Sequence, residues 1–147
     1  RHLNELLLLT LRTCQRRAEP MAIAYIDIDN FKQINDTEGH QRGDEILRIV
    51  GHCIRQVFRA EDSCFRYGGD EFCLILPNCS ESQARDIYLK RLTQAIKGQL
   101  EDLTLSIGIA QTGPDHYDDG LNLIRLADER MYAAKKALKE ITPGSTH

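Results

Sequence analysis

Cys64-Phe65-Arg66-Tyr67-Gly68-Gly69-Asp70-Glu71-Phe72-Cys73-Leu74-Ile75-Leu76 is the stretch on which the reading of the fold turns. Two β-prone runs separated by Gly-Gly predict a β-hairpin, because a tight two-residue turn needs positive φ and glycine adopts it without strain. With Gly68-Gly69 at its centre, Cys64 and Cys73 are expected to fall opposite each other as ordinary core thiols. Asp70 and Glu71 then sit just past the turn, beside a backbone stripped of Cβ atoms, which leaves room for a metal ion and a polyphosphate to approach. Gly-Gly-Asp alone is more often an ordinary polar turn, so a second acidic cluster has to decide the matter.

That cluster is Asp27-Ile28-Asp29, which closes the apolar run Met21-Ala22-Ile23-Ala24-Tyr25-Ile26. The run lacks polar alternation, as expected of a central strand covered on both faces. If the hairpin pairs beside this strand, Asp27 converges with Asp70 or Glu71. Mutual repulsion among clustered carboxylates is best relieved by divalent cations. Paired acids on adjacent strands point to two-metal phosphoryl or nucleotidyl transfer.

The chain of 147 residues suits a single domain over residues 1–147, long enough to bury a full core. Its 41% apolar and 28% charged residues are ordinary for a globular protein. A net charge of −3, with Lys and Arg scattered, argues against a nucleic-acid-binding surface, whose footprint is a basic stripe. No apolar run approaches the roughly 20 residues of a membrane span, so no direct membrane contact by this domain is expected. Five cysteines without close paired spacings indicate neither a disulfide framework nor a zinc site. A reducing, cytoplasmic location follows, and any membrane attachment belongs to regions outside these residues.

His2 to Arg17 carries Leu3, Leu6, Leu7, Thr10, Leu11 and Cys14 at helical spacing, and Pro20 ends the segment. No capping residue precedes it, which suggests a piece cut from a longer protein with a sensory or linker region upstream. Phe31 to Ile34 is expected to make a short helical turn, and Asn35 to Gly39 a loop. In the next helix Ile46, Leu47, Val50, Cys53, Ile54, Val57 and Phe58 form the apolar stripe, with Asp44 in or just before the first turn as a possible cap. Ser80 and Gln83 form a capping box for another helix, which Gly98 stops. Leu103 to Ile109 alternates as a strand, and Asp118 or Asp119 caps a last helix with Leu123, Ala127, Met131, Ala134 and Leu138 on one face. The order β, α, β, β, α, β predicts an α+β domain, a mostly antiparallel sheet with helices on one main face.

Tyr25-Ile26-Asp27-Ile28-Asp29-Asn30-Phe31-Lys32-Gln33-Ile34-Asn35-Asp36, then Gly39-His40, Gly43-Asp44 and Arg66 to Phe72, resemble the GGDEF-domain diguanylate cyclases. Ser106 to Ala110 and Ala127 to Lys135 are similar to later segments of that family. The resemblance implies a ferredoxin-like, palm-type fold, as in nucleotidyl cyclases, and condensation of two GTP into cyclic di-GMP with release of two pyrophosphates. It implies a homodimer in which each chain holds one GTP and each 3′-hydroxyl attacks the other's α-phosphorus. Asp27, the Ile28 carbonyl and Asp70 would hold Mg²⁺ or Mn²⁺, two per site, with Glu71 a further ligand or an aid to deprotonation. Lys32 and the amides near Asn30 and Phe31 would steady the phosphates, and Gly68 and Gly69 would let the backbone pass close to them. Asn35 and Asp44 would face the guanine edge, and Lys135 and Lys139 the triphosphate. After Lys135 the chain departs from the family pattern, with Lys136 to Glu140 and then Ile141-Thr142-Pro143-Gly144 where a Gly-Arg-Asn-like stretch and a last strand are usual, so Lys139 and the final strand stay open. Arg59-Ala60-Glu61-Asp62 lies where the family's inhibitory Arg-x-x-Asp motif does, which implies a product site for cyclic di-GMP. Read by itself, the pair is an exposed ion pair contributing at most about 1 kcal/mol.

Two other classes stay open at this point. One is a silent module that binds GTP or cyclic di-GMP without turnover, against which the intact hairpin motif counts. The other is a palm-type nucleotidyl transferase acting on nucleic acid, against which the sparse basic surface counts.

Overall fold

The eight residues Met21–Ile28 (β1) are all buried and form the spine of the domain. A computed structural model describes residues 2–141, with side chains through Glu140. Around β1 run α1 (His2–Arg17), α2 (Phe31–Glu38), α3 (His40–Val57), β2 (Ser63–Arg66), β3 (Glu71–Pro77), a helical segment over residues 81–99 (α4), β4 (Leu105–Thr112) and α5 (Gly120–Ile141). The four strands lie in the order β2-β3-β1-β4, every pair antiparallel. The expected final strand falls beyond Ile141, outside the described residues.

Because side chains alternate across a strand, β1 feeds two cores. Ala22, Ala24, Ile26 and Ile28 pack with Ile46, Val50 and Ile54 of α3 and with Leu92 and Ile96 of α4. Met21, Ile23 and Tyr25 pack with Leu3 and Leu7 of α1 and with Leu123, Ala127 and Met131 of α5. Helices therefore cover both faces of the sheet, not one main face: a strand apolar on both sides needs a helical layer on each. The second layer packs tightly at Gly108, where an added Cβ would collide with the Ala127 carbonyl. Only glycine lets α5 lie that close to β4.

The hairpin differs from expectation in its turn. Arg66 pairs with Phe72, and the Tyr67 N–H bonds the Glu71 carbonyl at 2.8 Å, so the loop holds three residues, Gly68, Gly69 and Asp70. Neither of these glycines takes a positive φ. An odd loop moves the register by one, which puts Cys73 opposite Phe65 and Cys64 opposite Leu74. The two thiols thus point to opposite faces.

Helix boundaries shift as well. The α2 helix runs on through Asn35 to Glu38, and α3 begins at His40, four residues before Asp44, with Gly39 at its cap position. Asp44 is consequently no cap. Ser80 and Gln83 do form the reciprocal capping box of α4, whose Ala84–Leu89 portion is π-helical and which continues past Gly98 to Gln99. Asp119 caps α5 by accepting the Leu121 N–H at 3.2 Å.

Candidate active site

Alternation along β1 and β3 places Asp27 and Glu71, which are Cα partners, on the α5 side of the sheet at one end of the strands. Asp70 joins them from the loop, where its backbone carbonyl accepts the Ile28 N–H at 3.1 Å. One carboxylate oxygen from each of Asp27, Asp70 and Glu71 lies within 4.8 Å of the others. Asp27 is 7% exposed, and its Oδ1 is buried without a hydrogen-bond partner. An orphaned buried carboxylate oxygen beside two further carboxylates fits a hard divalent cation, which takes oxygen ligands and cancels their repulsion.

Lys135 of α5 supplies part of the compensation, its Nζ standing 2.8 Å from Asp27 Oδ2 and 3.8 Å from Asp29 Oδ1. Burial lowers the Lys135 pKa, but its hydrogen bond to Asp27 and the charges of Asp27, Asp29 and Asp70 outweigh this and raise it. Burial first, and then the neighbouring Asp27, push the Asp70 carboxyl up from 3.8 to about 6. Asp29 stands outside the trio and is tied down, accepting from the hydroxyls of Thr104 and Ser106 at 2.6 Å each.

A cleft of about 520 Å³ opens over this end of the sheet, lined in part by Ile28, Asn30, Lys32, Asp70, Lys135 and Lys139. Asn30 precedes α2 in the left-handed conformation, φ 60°, and its side chain makes no capping hydrogen bond. The first amides of α2 are left open at the cleft wall, where a helix N-terminus favours an anion. Lys32 and Lys139 are exposed and bring further positive charge. Arg66 anchors the loop, its Nη2 donating to the Gly69 carbonyl at 2.9 Å, and a Cβ at Gly68 or Gly69 would meet open space.

Asn35 and Asp44 lie outside this cleft. Asn35 sits between α2 and α3 with its buried Oδ1 unpartnered, and Gly43 makes the room, since a Cβ there would collide with that oxygen. Exposed Asp44 lines a neighbouring hollow of about 520 Å³ with Leu47, Arg48, Arg66 and Phe72.

Arg59 and Asp62 stand farther off, at the opposite end of β3. Arg59 Nη2 bonds Asp62 Oδ1 at 2.8 Å and the Pro77 carbonyl at 2.7 Å, while Arg59 Nε reaches Asp62 Oδ2 at 3.1 Å. The pair is formed but not exposed, because the Asp62 side chain is only 1% accessible. Its hydrogen bond to Asp62 raises the Arg59 pKa. The guanidinium also lies over the Tyr88 ring, 5.2 Å from its centroid, an aromatic delivered by the π-helical part of α4.

Two features of the site escape sequence reasoning. The Lys135–Asp27 pair depends on how α5 crosses the sheet, for which no local signal exists. The hydrogen bond from the Tyr25 hydroxyl to Glu71 Oε1, 2.9 Å, crosses 46 residues of chain. Its one clue is a phenol in an otherwise aliphatic strand. Burial and the Glu71 hydrogen bond raise the Tyr25 pKa.

A four-stranded antiparallel sheet of this order flanked by helices, with three carboxylates converging at one end, has the palm-type fold. The family profile described as "Diguanylate cyclase, GGDEF domain" matches residues 1–140. Diguanylate cyclase DosC of Escherichia coli K12 is 40% identical over 128 residues, covering 82% of this chain and 27% of its own. Cyclic di-GMP phosphodiesterase NbdA of Pseudomonas aeruginosa is 36% identical over 113 residues, 73% of this chain and 14% of its own. The crystal structure of the GGDEF domain of DgcB from Caulobacter crescentus in complex with c-di-GMP superposes with a TM-score of 0.81 at 28% identity, covering 92% of this chain and 83% of that one. The chain belongs to the GGDEF-domain family of diguanylate cyclases. It spans about a quarter or less of the length of these curated relatives. Among the described residues no helix is long and apolar enough to cross a membrane.

Proposed function

We propose that this domain condenses two GTP into cyclic di-GMP and releases two pyrophosphates, each chain of a homodimer supplying one half-site. The observation that carries this reading is the trio Asp27, Asp70 and Glu71, one of whose members, Asp27, has a buried Oδ1 without a hydrogen-bond partner. Asp27, Asp70 and the Ile28 carbonyl hold the divalent cations, Mg²⁺ or Mn²⁺, with Glu71 as a further ligand. When bound, these ions lower the pKa of the 3′-hydroxyl and neutralise charge on the transferring phosphate.

The chain's own groups orient the reactants. The open amides of α2 near Asn30 and Phe31, with Lys32, hold phosphate oxygens, and the bare Gly68-Gly69 backbone lets the nucleotide lie close to the loop. Lys135 and Lys139 offset the triphosphate's charge from the opposite wall. Asn35 and Asp44 recognise the base: guanine presents N1–H and N2–H donors, which match a carboxylate and an amide oxygen lacking a partner. The 3′-oxygen attacks the α-phosphorus of the other chain's nucleotide, its P–O bond to pyrophosphate breaks, and the hydroxyl proton passes to Glu71 or to solvent. Two such displacements close the ring.

Product binds at the far end of β3, where Asp62 and the Pro77 carbonyl hold the Nε–Nη2 edge of Arg59 and Nη1, 3.6 Å from exposed Glu61, is turned to a phosphate or a guanine acceptor. With some 20 Å of strand between the two sites, bound product restrains the approach of two domains without competing for GTP. The intact carboxylate trio favours turnover over a module that only binds.

Incubating the chain with GTP and Mg²⁺ and separating the products by chromatography tests the reading. Cyclic di-GMP supports it, whereas unreacted GTP at high protein concentration, or GDP alone, removes it.

A further inference from the structure

Glu71 is the member of the acidic trio with the longest side chain and the most rotamers to lose. Its backbone is fixed by the Tyr67 N–H, which donates to the Glu71 carbonyl at 2.8 Å. Its carboxylate receives one hydrogen bond among the described residues, from Tyr25, with O–O 2.9 Å. Tyr25 lies on β1 two residues before Asp27, on the same face of the sheet, and is 7% exposed. Its Cα partner is Cys73, two residues beyond Glu71, so the phenol must reach one rung along the sheet to make this bond. The Tyr67 ring stacks on Tyr25, centroids 5.6 Å apart and planes at 27°, and restrains the phenol. An aliphatic side chain would fill this place in the core, whereas a buried phenol demands an acceptor. The acceptor here is a carboxylate of the functional trio, not a backbone carbonyl.

We propose that Tyr25 is a positioning residue for the acidic site: its hydroxyl holds Glu71 Oε1 and thereby presents Glu71 Oε2 to the point where Asp27 and Asp70 converge, setting the affinity for a divalent cation. This rests on the reading of the trio as a cation site and adds to it the group that fixes Glu71. Outer partners that orient a metal-binding carboxylate commonly contribute ten- to a hundredfold to metal affinity.

The test is Mn²⁺ binding to the nucleotide-free chain, followed by electron spin resonance of the free ion, in wild type, Tyr25→Phe, Glu71→Ala and the double variant, with Tyr67→Ala to remove the stack but keep the hydroxyl. Tyr25→Phe keeps the ring and the packing, and thermal melting checks that it folds. The expected result is Mn²⁺ affinity about tenfold weaker in Tyr25→Phe. Glu71→Ala is weaker still, and the double variant matches Glu71→Ala, because the phenol has nothing left to act on. Tyr67→Ala stays closer to wild type than Tyr25→Phe does. Wild-type affinity in Tyr25→Phe alongside weakened binding in Glu71→Ala overturns the positioning role and leaves the cation site standing. A double variant weaker than Glu71→Ala by the full Tyr25→Phe factor overturns it too, since the phenol then acts elsewhere. Wild-type affinity in both single variants overturns it as well and removes Glu71 from the cation's ligands, whereas a wild type that binds no Mn²⁺ removes the cation-site reading itself.

Discussion

Asp70→Asn separates the cost of the acidic trio from its use. Burial and Asp27 raise the Asp70 carboxyl from 3.8 to about 6, so ionising it in the cation-free fold is unfavourable. A shift of about 2 units corresponds to at most about 3 kcal/mol, and the partly exposed, screened position of Asp70 reduces this to about 1 kcal/mol. The sign follows from proton linkage. Between pH 4 and pH 6 the folded chain binds more protons at this residue than the unfolded chain, so this contribution to stability is complete below pH 4 and lost by the time pH passes 6. Asparagine keeps the shape and removes the charge. In chelator at pH 7.5, Asp70→Asn should therefore melt about 3 °C above wild type, with the gap closing by pH 4.5. In Mn²⁺ the order should reverse, because ligand binding stabilises only the form that binds it, and turnover should be abolished in the variant. Differential scanning calorimetry with and without Mn²⁺ reads all of this. A variant less stable than wild type in chelator at pH 7.5 would show that the ionised Asp70 costs the fold nothing, and one stabilised equally by Mn²⁺ would show that Asp70 holds no cation.

Asp44→Asn should weaken GTP binding by about tenfold or more in calorimetry, as guanine loses a charged acceptor, with the melting temperature unchanged because Asp44 is exposed and caps nothing; a fall in stability alone would remove its role at the base. Arg59→Ala should abolish tight binding of cyclic di-GMP and also destabilise the fold by about 2–4 kcal/mol, since the buried Asp62 carboxylate loses its cation and keeps the backbone N–H of residue 59. Unchanged product affinity in that variant, measured well below its melting temperature, leaves the pair with a structural role alone.

The convergence of Asp27 with Asp70 and Glu71 was legible because it needs only two facts: an apolar run ending in acids, and a hairpin able to pair beside it. The capping box at Ser80 and Gln83 was legible for the same reason, since both partners lie within one turn. What escaped depends on longer-range geometry or on one residue of loop length. Three loop residues instead of two shifted the hairpin register and separated Cys64 from Cys73. Asn35 and Asp36 have poor helix propensity, yet α2 runs through them because Phe31 is buried in the core and Ile34 packs against it. That continuation, with α3 starting at His40, removed the cap from Asp44. The second helical layer was implicit in the two-faced apolarity of β1, but the β, α, β, β, α, β order does not reveal that α1 and α5 supply it. The reach of Tyr25 to Glu71 and of Lys135 to Asp27 is a property of the assembled layers, and neither spacing nor composition encodes it.

The proposed reaction requires that each chain hold half of a centre acting on two GTP. Specific activity measured against protein concentration in GTP and Mg²⁺, with pyrophosphate and cyclic di-GMP quantified in the same samples and the oligomeric state followed by light scattering, tests it most directly. The prediction is turnover per chain that rises with concentration as dimers form, and two pyrophosphates released for each cyclic di-GMP. Turnover per chain independent of concentration in a sample that stays monomeric, or a ratio other than two, would contradict it.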